Sequence, residues 1–101
     1  MKIIVIFEKA GAFAENKDVA REIRVREILP ALQEQGEVTL DFERIEDATQ
    51  SFIHALISDV MRQYGAGVLE RLNFKSCNPT VRKMIEIVVD YMQEGMDGEE
   101  G

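Results

Sequence analysis

The sequence predicts an α/β fold: a small single-domain βαβαβα layer in which a mixed or mostly parallel sheet of three to four strands is packed by three helices. Three observations carry this prediction. Residues 37–64, EVTLDFERIEDATQSFIHALISDVMRQY, pass from a two-residue apolar period to a helical one across one short loop. Residues 2–7, KIIVIF, form a continuous apolar run of the kind found in a strand buried on both faces of a sheet. Asn78-Pro79 joins a capping side chain to a proline at the first helical position, and apolar residues at helical spacing follow it. Strands separated by helical crossovers are most simply parallel.

The chain of 101 residues is long enough for one core and too short for two. Hydrophobic residues make up 46% and charged residues 31%, a globular balance. Nineteen acidic against twelve basic side chains leave a formal charge of −7, which repels phosphate backbones and argues against nucleic acid as a partner. Cys77 is the only cysteine, so no intramolecular disulfide forms, and no Cys/His cluster has zinc-ligand spacing. The apolar run before Glu8 is too short for a signal peptide or a membrane span. The expected location is therefore cytoplasmic, without membrane association.

After the first strand Gly11 breaks the pattern, and Asn16 and Asp18 both have N-cap chemistry for a helix running toward Gln35. Its apolar positions fall into two phases: Val25, Ile28, Leu29 and Leu32 agree with one another, while Val19 and Ile23 point elsewhere. Pro30 removes a backbone donor inside this stretch and clashes with the preceding turn. A kinked helix over residues 14–35 and a shorter helix starting near Glu22 both satisfy this pattern. Gly36 stops it. In the second strand Val38, Leu40 and Phe42 alternate with Thr39 and Asp41. In the second helix Phe52, Leu56, Val60 and Tyr64 recur every four residues beside Ile53, Ile57 and Met61, and Gly65 ends it. Residues 68–74 read as the third strand, with Leu72 and Phe74 inward and a start as late as Leu69 because Glu70 interrupts the phase. Val81, Met84, Ile85, Val88, Val89 and Met92 carry the third helix to about Glu94. The domain thus spans residues 1–94, and the acidic, glycine-rich residues 95–101 read as a disordered tail.

Common enzyme signatures are absent: no phosphate-binding glycine loop, no nucleophile elbow and no zinc-binding helix. No cofactor and no metal are expected. His54, the lone histidine, lies off the apolar stripe and reads as a solvated surface residue. Cys77 precedes a helix start, where backbone N–H groups lower a thiol pKa, but no base stands near it in sequence. Glu43, Glu46 and Asp47 read as a solvated acidic loop, with Asp47 assisting the helix start. Arg21, Arg24 and Arg26 read as a salt-bridged exposed face. Arg82 and Lys83 oppose the dipole of their own helix, and a bound anion near Ser76 and Asn78 would account for them, as would surface variation.

The stretch 47–52, DATQSF, lies beyond the carboxyl end of the middle strand and opens a helix, where α/β sheets place ligands. Thr49 and Ser51 supply hydroxyls there, and Thr49 or Asp47 also suits simple capping. VTLDFERIEDATQSFIHAL, followed by the Asn78-Pro79 helix, resembles the STAS-like domain family of unknown function: a strand ending in Leu40-Asp41-Phe42, a short loop, and Ser51-Phe52 opening a helix. The likeness reaches back to the first helix and forward to about Met92.

The resemblance implies a relation to STAS domains proper, the anti-sigma factor antagonists and transporter-tail domains of bacterial-type signalling. It further implies a partner-switching role with a histidine-kinase-like ATPase. If Phe42 is aligned with the last hydrophobic residue of the STAS strand, the Asp-Ser-Ser-Gly motif falls on Thr49-Gln50-Ser51-Phe52. The usual phosphorylation position is then Gln50, Ser51 or Thr49 would have to substitute, and a bulky Phe52 points into the core. The expected interaction residues are Asp41, Asp47, Thr49, Gln50 and Ser51, and the expected anion-binding residues are Ser76, Asn78 and Arg82. A non-enzymatic protein-interaction module is the leading expectation. A nucleotide- or anion-binding domain or small enzyme using residues 45–52, and a structural homodimer, are the alternatives.

Overall fold

The computed structural model describes residues 2–34 and 36–98, with side chains to residue 93. The chain opens with β1 (Lys2–Val5) and turns at once into a short helix, α1 (Ile6–Ala10), which ends at Gly11. The expected strand over residues 2–7 is thus shorter, because its last two residues already belong to the turn that carries Ile6 into the core. A two-residue strand, β2 (Phe13–Ala14), precedes α2 (Lys17–Ile23), whose N-cap is Asn16: its Oδ1 accepts from the N–H of Asp18 at 2.8 Å and of Val19 at 3.4 Å. A π-helical turn (Arg24–Ile28) then leads directly into α3 (Leu29–Glu34).

The π turn resolves the two apolar phases. The N–H of Leu29 reaches back five residues to the carbonyl of Arg24, and this wider loop accommodates the ring of Pro30, which would clash in a regular helix. The extra residue turns Ile23 and Ile28 onto the same buried side, and Ala20, Ala31 and Leu32 join them. Val25, expected in the stripe, is left 51% exposed by the same rotation. The segment is therefore one interrupted helical run starting at Lys17, rather than a helix starting near Glu22.

The next elements are β3 (Val38–Asp41), the short β4 (Asp47–Ala48) and α4 (Gln50–Tyr64). On α4 Phe52, Ile53, Leu56, Ile57, Val60 and Met61 are all buried, as their spacing requires. Gly65 closes α4 at φ 82°, a conformation open to glycine at little cost. A 3₁₀ turn (Ala66–Glu70) buries Val68 and delays the last strand, β5, to Leu72–Lys75. The final helix, α5, is assigned over Pro79–Gly98, past the expected end near Glu94; of the expected tail, residues 99–101 lie outside the described residues.

The main sheet has the order β1-β3-β5, every pair parallel, and Ile4, Leu40 and Phe74 stand side by side in register. Strands added in one direction by right-handed crossovers leave their helices on one face. Ile4, Val38, Leu40 and Leu72 are buried on that face; on the opposite face Ile3 of β1 is 51% exposed, while Thr39 and Asp41 of the central strand β3 are buried. The first strand is therefore not buried on both sides. A second, two-stranded parallel sheet pairs β2 with β4 and has no counterpart in the sequence pattern.

Two arginines tie the helices down. Arg71 donates from Nε to the carbonyl of Gly36 (2.6 Å) and from Nη2 to that of Leu32 (3.0 Å), capping the carbonyl end of α3. Arg24 donates from Nη1 to the carbonyl of Ala55 at 2.8 Å and pairs with Asp59 at 3.1 Å. Arg24 therefore locks the π turn to α4 instead of lying on the exposed face expected for it with Arg21 and Arg26, which are exposed.

Candidate functional site

The connection from β3 to α4 is fixed at several points before it presents anything. The N–H of Phe42 bonds the carbonyl of Lys75 (2.8 Å), and the buried carboxylate of Asp41 accepts from the N–H of Glu43 (2.9 Å), closing a tight turn. Arg44 adopts φ 71° and lays its guanidinium 5.6 Å from the centroid of the Phe7 ring. Glu46 N–H then bonds the carbonyl of Ala12 (2.8 Å) and Thr49 N–H that of Ala14 (3.0 Å), so backbone on both sides of β4 is held to β2.

Asn78 adds a second clamp. Its Nδ2 donates to the carbonyls of Ile45 and Glu46, both at 3.1 Å, while its Oδ1 accepts from Val81 N–H at 2.8 Å and caps α5. Both ends of the amide are thus engaged inside the protein. Ser76 is exposed at φ 58° and Arg82 is exposed on α5.

Thr49 is the N-cap of α4: its Oγ1 accepts from Phe52 N–H at 3.1 Å. Asp47 is not the cap of α4; it lies in β4 and its Oδ1 accepts from the N–H of Ala48. With Thr49 half-buried in the cap and Phe52 in the core, Gln50 and Ser51 are the first-turn residues left exposed. They line a shallow cleft of about 370 Å³ with Lys17, His54 and Ala55. Its positively charged member, Lys17, comes from the start of α2, more than thirty residues away along the chain, and no local pattern marks it as a neighbour. His54 is half-buried, its ring 6.5 Å from that of Tyr91 on α5.

The loop acids Glu43, Glu46 and Asp47 are exposed, and among the described residues no group of His, Cys, Asp or Glu has the arrangement to hold a metal ion. Cys77 lies beside a smaller hollow lined by Phe74, Arg82, Ile85 and Glu86. Burial pushes its thiol above the ordinary 9.0; Arg82 pulls it down and Asp41 pushes it up. Desolvation outweighs the nearby positive charge of Arg82.

Parallel strands, helices on one face and a braced connection that exposes the first turn of the following helix define a small α/β domain with a presented strand-to-helix corner. A family model described as a STAS-like domain of unknown function matches residues 20–82, and the chain belongs to that family. The match runs from α2 to the first turn of α5 and includes the whole corner. No curated protein and no solved structure matches the chain. Among the described residues no helix is long and apolar enough to cross a membrane.

Proposed function

We propose that the chain is a non-enzymatic, cytoplasmic regulatory module that binds a protein partner through the loop and helix start at residues 45–55, the partner being a histidine-kinase-like ATPase. The observation that carries this reading is the exposure of Gln50 and Ser51 on a first turn that is otherwise held rigidly, by the Thr49 cap beneath it and by β2 and Asn78 before it. A braced surface loses little conformational freedom when it is engaged. Lys17 and the free N–H groups at the start of α4 would tolerate negative charge on Ser51. Phosphorylation there would leave the fold intact and change the surface that the partner meets.

The test is titration calorimetry against the cognate ATPase, with intact-mass measurement after incubation with ATP. Binding that is lost in Ser51→Asp and kept in Ser51→Ala, with both variants folded, is the expected result. Neither binding nor modification of the native chain would dispose of the proposal.

A further inference from the structure

The outer side of α5 carries an apolar strip that the monomer leaves open. Val81, Ile85, Val88 and Met92 face the core, whereas Ile87 is 36% and Tyr91 63% exposed. Thr80, the half-buried Met84, Ile87 and Tyr91 follow one another at steps of four, three and four. At 3.6 residues per turn these steps keep them on one side of the helix, over about 16 Å of its length. Lys83 and Asp90, both exposed, lie together on one flank of the strip, and neither takes part in an ion pair among the described residues.

We propose that the chain self-associates through α5, with two copies of the helix antiparallel about a twofold axis at Ile87. Residues equally far from Ile87 then face each other. Lys83 of one copy stands level with Tyr91 of the other and one position from its Asp90. Antiparallel helices bring like flanks together, so the twofold axis generates two Lys83–Asp90 pairs. A parallel arrangement would put the two charged flanks on opposite sides of the contact, where no Lys83–Asp90 pair forms, and the charges therefore select the antiparallel one. The same contact accounts for a lysine in the first turn of α5, where it opposes its own helix dipole but meets an acid of the second copy. Tyr91 is already braced by the His54 ring at 6.5 Å, which lowers the cost of ordering it on association.

The strip is small beside the roughly 800 Å² per partner of a standard interface. Association is therefore in rapid exchange and shows in the upper part of the concentration range. It uses a surface other than residues 45–55 and stands whether or not an ATPase binds there.

Sedimentation velocity on the full chain, from micromolar to millimolar concentration, tests it. The native chain is expected to move from monomer to dimer, and Ile87→Asp to weaken association by about tenfold or more. Lys83→Asp is expected to weaken it as well, and Lys83→Asp combined with Asp90→Lys to restore it. Circular dichroism confirms folding, and the charge exchange needs no apolar substitution. A chain that stays monomeric throughout, a dimer indifferent to Ile87→Asp, or a double variant no better than Lys83→Asp would each overturn the proposal.

Discussion

α4 and the helical run from Lys17 to Glu34 both bury one side in the same core, with different backbones. α4 is regular for 15 residues, and its buried side chains repeat without a break from Phe52 to Met61. The earlier run must pass Pro30, and it does so with a π turn whose five-residue step from Ile23 to Ile28 would point the two side chains about 140° apart in an unbroken α-helix. One helix keeps its face by keeping its period, the other by changing it once. Tolerance to change should differ accordingly.

The largest effect is expected from altering the period itself. Deleting His54 turns Leu56, Ile57, Val60 and Met61 by about 100° relative to Phe52, removing them together from the core. The expected product shows no cooperative unfolding transition. Deleting Arg26, which is exposed, together with Pro30→Ala shortens the π step to the ordinary four residues and keeps Ile23 and Ile28 on one face. That variant is expected to unfold cooperatively in urea. Equal behaviour of the two deletions would remove the contrast between the helices.

Next in size is Phe52→Ala, at about 3–5 kcal/mol, because the ring is fully buried and the regular helix around it has little freedom to collapse into the cavity. That is a large part of the roughly 5–15 kcal/mol that holds a domain of ordinary stability together. Val25→Ala, in the π turn, is expected to stay within about 0.5 kcal/mol, since the rotation leaves Val25 largely in water. Urea midpoints of the two variants give the comparison directly.

Arg24 joins the two segments, and its replacement separates their fates. Arg24→Met keeps much of the packing but loses the hydrogen bond to Ala55 and the pair with Asp59, at about 1–3 kcal/mol. Arg24→Lys recovers part of that, because an ammonium does not reproduce the guanidinium's planar arrangement of donors. A lysine variant with full stability would show that the charge matters and the geometry does not.

What could be read in the residues depended on how far each signal extended along the chain. The α4 stripe and the Asn78-Pro79 start are local, and each appears where its spacing puts it, whereas the alternation of Val38, Leu40 and Phe42 falls on a strand that ends at Asp41 and buries Thr39 and Asp41 as well. The pairing of Phe13–Ala14 with Asp47–Ala48 is two residues long and held by backbone bonds, so side-chain pattern had nothing to report. The conflict between Val19 and Ile23 and the later apolar group was legible as a conflict, but its resolution required the geometry of the π turn. Arg71 and Arg24 look like surface charges in sequence, because the carbonyls they meet come from distant segments. At the candidate site Ser51 and Gln50 were legible as first-turn residues after Leu40-Asp41-Phe42, whereas Lys17 reaches them only through the packing of α2 on α4.

The smallest effects are expected at the two caps. Asn16→Ala and Thr49→Ala each remove a side-chain acceptor from a helix start, a change worth about 1 kcal/mol. The two should not be equal. Asn16 is exposed, so water can reach the N–H groups of Asp18 and Val19 that it leaves behind. Thr49 is half-buried and its donor belongs to Phe52, whose side chain is sealed in the core, so solvent replaces that acceptor less readily. Thr49→Ala is therefore expected to be the costlier variant and Thr49→Ser to be nearly neutral. Amide hydrogen exchange at Phe52 reads the difference: faster exchange in Thr49→Ala, with no change at Phe52 in Asn16→Ala, ties the stiffness of the presented turn to its own cap.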